Sequence, residues 1–191
     1  MEKVAAVGLV AVALLNTAAY AHPPFGLSWS STPDQIAQEG VAMSHNTSTH
    51  GVHVYGARKL PSGTSNAGSY SMFFGDRDGL HRVMMISKPI SGDATGEIGR
   101  HQYDLMKISL TRQHGVPVHV AELAGVTYDI DPEEFYSCLS LRGCGSWTTI
   151  FRGDDPGEYI QLSLNGTSMD RGYISISYES PDWEAVAYGM R

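Results

Sequence analysis

Two apolar runs, Tyr70-Ser71-Met72-Phe73-Phe74 and Leu80-His81-Arg82-Val83-Met84-Met85-Ile86, flank the segment Gly75-Asp76-Arg77-Asp78-Gly79. An Asp-Gly pair between apolar runs is a hairpin signal, so two antiparallel strands are predicted here. A shorter alternation at Val52-His53-Val54-Tyr55 puts the valines on one face and His53 with Tyr55 on the other. It reads as a strand between loops, because the surrounding stretch from Val41 to Ser69 is rich in Ser, Thr, Asn and Gly. Three more strands are expected around Trp147 to Arg152, Tyr159 to Leu164 and Tyr173 to Tyr178. Ile160, Leu162 and Leu164 share one face of the second of these, and Ile174, Ile176 and Tyr178 one face of the third. Val118 to Ala121 has the composition of a further short strand.

Helical signals separate these runs. Thr32-Pro33-Asp34-Gln35 supplies a capping Thr, a proline at the first helical position and a Gln at the third. Ile98, His101, Leu105 and Ile108 recur at helical spacing in a stretch that ends at His114-Gly115 with Pro117 beyond, which predicts the longest helix. Asp131-Pro132-Glu133-Glu134 combines a cap, an N1 proline and two acids against the helix dipole, opening a helix that runs toward Gly143. Because no βαβ alternation demands a parallel sheet, the expected fold is α+β: an antiparallel sheet of about six strands with helices on one face. The order further hints at two helix-plus-three-strand halves.

The first residues change the picture of where the chain works. Val4 to Leu15 is an apolar run behind Lys3, and it closes on Ala19-Tyr20-Ala21, small residues at the positions a signal peptidase reads. Residues 1–21 are therefore read as a secretory signal peptide cleaved after Ala21, and residues 22–191 as a single domain. That apolar run is too short to span a bilayer, so no membrane span is expected after cleavage, and the destination is periplasmic or secreted. A domain of this length buries roughly 70% of its unfolded surface. The two cysteines, Cys138 and Cys144, are expected to pair as a disulfide in an oxidising compartment.

Composition narrows the functional classes. A formal charge of −7 and the lack of a basic run exclude nucleic acid as an expected partner. The acidic balance suits a basic partner instead. No G-x-S-x-G motif is present, and the acidic pairs Asp76/Asp78, Glu133/Glu134 and Asp154/Asp155 sit where turns and helix starts favour acids. Two histidine groupings carry possible metal chemistry. His45, His50 and His53 fall within nine residues and offer imidazoles to zinc or copper. Cleavage after Ala21 would also free the amine of His22, which with its own ring can chelate copper.

The opening FGLSWSSTPDQIAQEG, the block DPEEFYSCLSLRGCGSW and the ending GYISISYESPDW resemble small exported bacterial proteins of unknown function that carry an FGLxW segment before a Ser/Thr-Pro cap. More distantly, a capped helix after a Gly-x-Trp segment beside antiparallel strands is similar to the small lipoproteins of β-barrel assembly and to β-lactamase-inhibitor-type modules. The lipoprotein cysteine is missing here. The resemblance implies an exported α+β domain without catalytic residues that binds another exported or envelope protein, as an accessory or inhibitor-like module. A zinc- or copper-binding periplasmic protein built on the histidines is the alternative.

Overall fold

A computed structural model describes residues 24–29, 31–76, 79–125 and 130–189. The leader assigned to residues 1–21, and His22, lie outside the described residues. Nine strands are described: β1 (Met43–Thr49), β2 (Val52–Ala57), β3 (Ala67–Gly75), β4 (Leu80–Ser87), β5 (Ile90–Ser91), β6 (His119–Leu123), β7 (Ser146–Arg152), β8 (Tyr159–Ser168) and β9 (Arg171–Glu179). The described helices are α1 (Pro33–Gln38), α2 (Glu97–His114), α3 (Phe135–Ser140) and α4 (Trp183–Ala187).

The strands form one antiparallel sheet in the order β1-β2-β3-β4-β9-β8-β7-β6, with β5 pairing β9 off this path. The chain is α+β, with nine strands among the described residues in place of the expected six or so. Two of the extra strands have a simple cause. β1 reads MSHNTST and lies at the sheet edge, almost wholly exposed, so nothing selects for apolar alternation along it. β5 is only two residues long. The sheet order is symmetric about the β4–β9 pair, with α1 preceding β1–β4 and α2 preceding β6–β9. Each half thus contributes four strands to the sheet path, not three, and α3 sits in the β6–β7 connection.

One face of the sheet carries the core. Leu80, Val83 and Met85 of β4, Ile174, Ile176 and Tyr178 of β9, Ile160, Leu162 and Leu164 of β8, and Phe151 of β7 all point to it and are buried. The residues between them point to the opposite face. α2 and α3 pack on the core side, against β7, β8 and β9. α3 approaches closely because Gly166 and Gly172, paired on β8 and β9, leave a notch that Tyr136 fills.

Caps hold the helices as the sequence predicts. Thr32 and Gln35 form a reciprocal capping box on α1. Asp131 and Glu134 do the same for a turn of 3-10 helix at Pro132–Glu134 that leads into α3, so the α-helix is shorter than expected and starts at Phe135. α2 ends where the sequence predicts, and the residues whose spacing announces it do not form its buried face. Ile98, Leu105 and Ile108 are exposed, whereas Gly99, Tyr103 and Leu110 are buried. The polar ends of the inner face explain the choice, since Tyr103 Oη meets Thr149 Oγ1 at 2.7 Å, and Gly99 leaves room for the Tyr136 hydroxyl.

Candidate functional site

The sheet face opposite the core has no described helix across it except α4, which covers one end. Its central strands carry short polar side chains in a connected layer. Thr148 meets Ser163 at 3.1 Å, Gln161 Nε2 donates to Ser163 at 3.1 Å, and Asn165 Nδ2 donates to Ser175 at 3.1 Å. Larger side chains stand among them: Tyr159 and Tyr173 on the β8–β9 side, Ile150 on β7, Met84 and Ile86 on β4. These are half-buried, apart from Tyr159, which is exposed.

Arg82 of β4, Glu179 of β9 and Arg152 of β7 bring formal charge to this face, with Arg171 at its margin at the start of β9. Two of them neutralise each other. Arg82 Nε lies 3.2 Å from Glu179 Oε1 and donates to Ser177 Oγ at 2.7 Å. Its guanidinium lies against an edge-to-face pair of rings, 5.3 Å from the Phe73 centroid and 5.2 Å from that of Trp183, which are 5.5 Å from each other. Burial lowers the Arg82 pKa and raises that of Glu179, with the opposite charge of each partner working against the shift in the other. Around this pair the face presents aromatic and aliphatic surface with many hydroxyls, and exposed arginines, Arg152 and Arg171, stand toward its margins.

The histidines singled out by their spacing lie elsewhere, at the free end of the sheet. The structure corrects the loop expected around them: His45 belongs to β1, and His50 with Gly51 makes the two-residue turn between β1 and β2. Both turn residues have positive φ, 49° and 78°, the geometry a tight hairpin requires. His45 and His53 are brought together, with ring centroids 6.4 Å apart, and both contact one hydroxyl. Ser48 Oγ lies 2.8 Å from His45 Nε2 and 2.8 Å from His53 Nδ1, while His53 Nε2 lies 2.8 Å from Asp76 Oδ1. His50 has no described contact with this chain of groups. Among the described residues no three His, Cys, Asp or Glu side chains converge as a metal-holding group.

Cys138 and Cys144 form a disulfide, with Cα atoms 5.1 Å apart, and the backbone N–H of Gly125 donates to Cys138 Sγ. The three tryptophans do not assemble into one platform. Trp29 donates to Glu158, Trp147 packs on Phe135, and Trp183 packs on Phe73. A cavity of about 420 Å³ opens between α2 and the N-terminal segment, with Phe25, Met106, Leu110 and Tyr178 among its walls and His114 at the helix end. Burial, with the carboxylates of Glu158 and Asp154 adding to it, pushes the Tyr178 hydroxyl up to about 12.

Sequence reasoning missed the open face as a unit and missed Asp76 as a partner of His53. The alternating serines of β9 were the available signal for the first. Nothing local signalled the second, which joins residues 23 apart. No helix among the described residues is long and apolar enough to cross a membrane. In comparisons with known proteins, no family model, no curated protein and no solved structure matches the chain.

Proposed function

We propose that the chain is an exported, non-catalytic module that binds another protein of the envelope or the extracellular space through the open face of its sheet. The observation that carries this reading is the composition of that face. Tyr159, Tyr173 and Ile150 stand among Ser, Thr and Asn side chains already tied to one another, and the central charge is cancelled within the Arg82–Glu179 pair. Aromatic side chains bury large area at low entropic cost, and short hydroxyl and amide groups adapt their hydrogen bonds to a partner. Protein-binding surfaces combine these features with few unpaired charges at their centre. α2 and α3 back this surface from the other side of the sheet, packed against β7, β8 and β9. The disulfide agrees with an oxidising destination. The overall charge of −7 favours approach by a basic partner.

The test is site-specific photocrosslinking in the cells that export the protein, with the photoreactive residue at Tyr173 on the open face or at Leu105 on the outer side of α2. The expected result is one dominant protein adduct from position 173 and none from position 105. No adduct from 173, or an adduct from 105 alone, overturns the assignment of the face. The variant Tyr173→Ala with Tyr159→Ala should abolish a second crosslink placed at Ser175.

A further inference from the structure

The geometry points to a second site, independent of the open face: a binding site for one divalent transition-metal ion at the β1–β2 hairpin, with His45 Nε2 and His53 Nδ1 as its nitrogen ligands. We infer copper(II) as the preferred ion and zinc(II) as the weaker one, following the usual order of affinity of imidazole for these metals.

The two nitrogens lie 2.8 Å from the same oxygen, Ser48 Oγ. They therefore converge on one point from two strands. Metal–imidazole bonds run about 2.0–2.1 Å. An ion seated where the hydroxyl now sits needs each ring to advance by a fraction of an ångström while the exposed Ser48 side chain turns aside. The hydrogen-bond directions already prepare His53 for this. Asp76 Oδ1 can only accept, so His53 Nε2 carries the proton and Nδ1 presents its lone pair toward the site. A carboxylate behind a ligating histidine, fixing its tautomer and orientation, is the usual outer support of a protein metal site. His45 is steadied by the Tyr55 ring, edge-on at 5.1 Å.

The backbone serves the same arrangement. The His50-Gly51 turn sets the register that places Ser48 opposite His53, and a bulge between His45 and Thr47 then brings His45 opposite Tyr55. A Cβ at position 51 would stand 3.0 Å from Asp76 Oδ2, so glycine leaves the carboxylate its place beside the turn. His50 contributes to the turn and not to the ligand set. Because the described protein supplies two nitrogens here and no third His, Cys, Asp or Glu, water completes the coordination. Such a site suits an exchangeable ion better than a structural one.

The experiment is a copper(II) titration of the exported, oxidised protein by calorimetry, with electron paramagnetic resonance of the loaded sample. The wild type should bind one ion at this site with two imidazole nitrogens in the spectrum. His45→Asn and His53→Asn should each weaken binding by at least about 10-fold and leave one imidazole. Asp76→Asn should weaken it by about 10-fold with both imidazoles retained, as loss of an outer support does. His50→Asn should bind like wild type. Circular dichroism of each variant separates loss of ligand from loss of fold. A wild type that takes up no copper, or equal binding after loss of His45 and His53, overturns the site. So does a His50 variant as weak as the other two, because the histidines would then act as a loose chelating loop.

Discussion

Trp29 Nε1–H donates to Glu158 Oε1 at 2.9 Å, tying the segment before α1 to the β7–β8 turn across 129 positions of sequence. Glu158 is only 5% exposed, and its other oxygen accepts from the backbone amides of Asp154 and Asp155. One buried carboxylate thus closes a turn of the second half and holds the entry of the first.

Replacing that carboxylate should cost more than a surface acid would. Glu158→Ala leaves an indole and two backbone amides without their acceptor, and the expected loss is about 2–4 kcal/mol. Urea unfolding of the variant beside wild type checks it. Trp29→Phe, which removes one donor and leaves the turn intact, should cost about 1 kcal/mol.

Gly166 offers a test of the α3 docking. A Cβ at this position would overlap the carbonyl of Tyr136, a backbone atom that cannot rotate away. Gly166→Ala should therefore destabilise the protein by about 1–3 kcal/mol through overpacking. The same urea measurement reads it, and a neutral result would mean that α3 does not sit in the notch.

Much of this arrangement was legible where a residue's neighbours in sequence are also its neighbours in space. The β3–β4 hairpin declared itself through two apolar runs around an Asp-Gly pair, and the caps at Thr32 and Asp131 act locally. What escaped depends on distant chain. β1 is polar on both faces because the edge of the sheet asks for nothing else, so it read as loop. The spacing of Ile98, Leu105 and Ile108 reveals α2 but not its buried face, whose contacts run through Tyr103, with its hydroxyl satisfied by Thr149, and through Gly99. His45 and His53 were visible as a cluster. Only the hairpin register shows which two of the three histidines meet, and only β3 delivers Asp76 to the outer nitrogen of His53.

Alkaline pH should expose the buried phenols. Burial raises the pKa of Tyr103, Tyr136 and Tyr178, the last to about 12 from 10.0. An unfolded chain releases these protons near pH 10, whereas the folded one keeps them, so between those values the native state binds more protons. Their contribution is complete below pH 10 and is lost as pH climbs toward 12 and beyond. Urea midpoints measured across this range should fall steadily, with a shallower slope in Tyr178→Phe. Phenolate absorbance in the near ultraviolet should show a late-titrating group that the variant lacks.

The disulfide connects the fold to the compartment. Cys138 and Cys144 close a short loop at the end of α3, and a bridge of that size stabilises by about 2 kcal/mol, chiefly by restricting the unfolded chain. Protein recovered after export and unfolded without reductant should present no thiol to a thiol reagent, and two after reduction. Reduction should also lower the urea midpoint by an amount matching that energy, and Cys138→Ser with Cys144→Ser should reproduce it. Two thiols in the exported, unreduced protein would remove the bridge from the native state. That outcome would also withdraw the support that the cysteine pair lends to an oxidising destination.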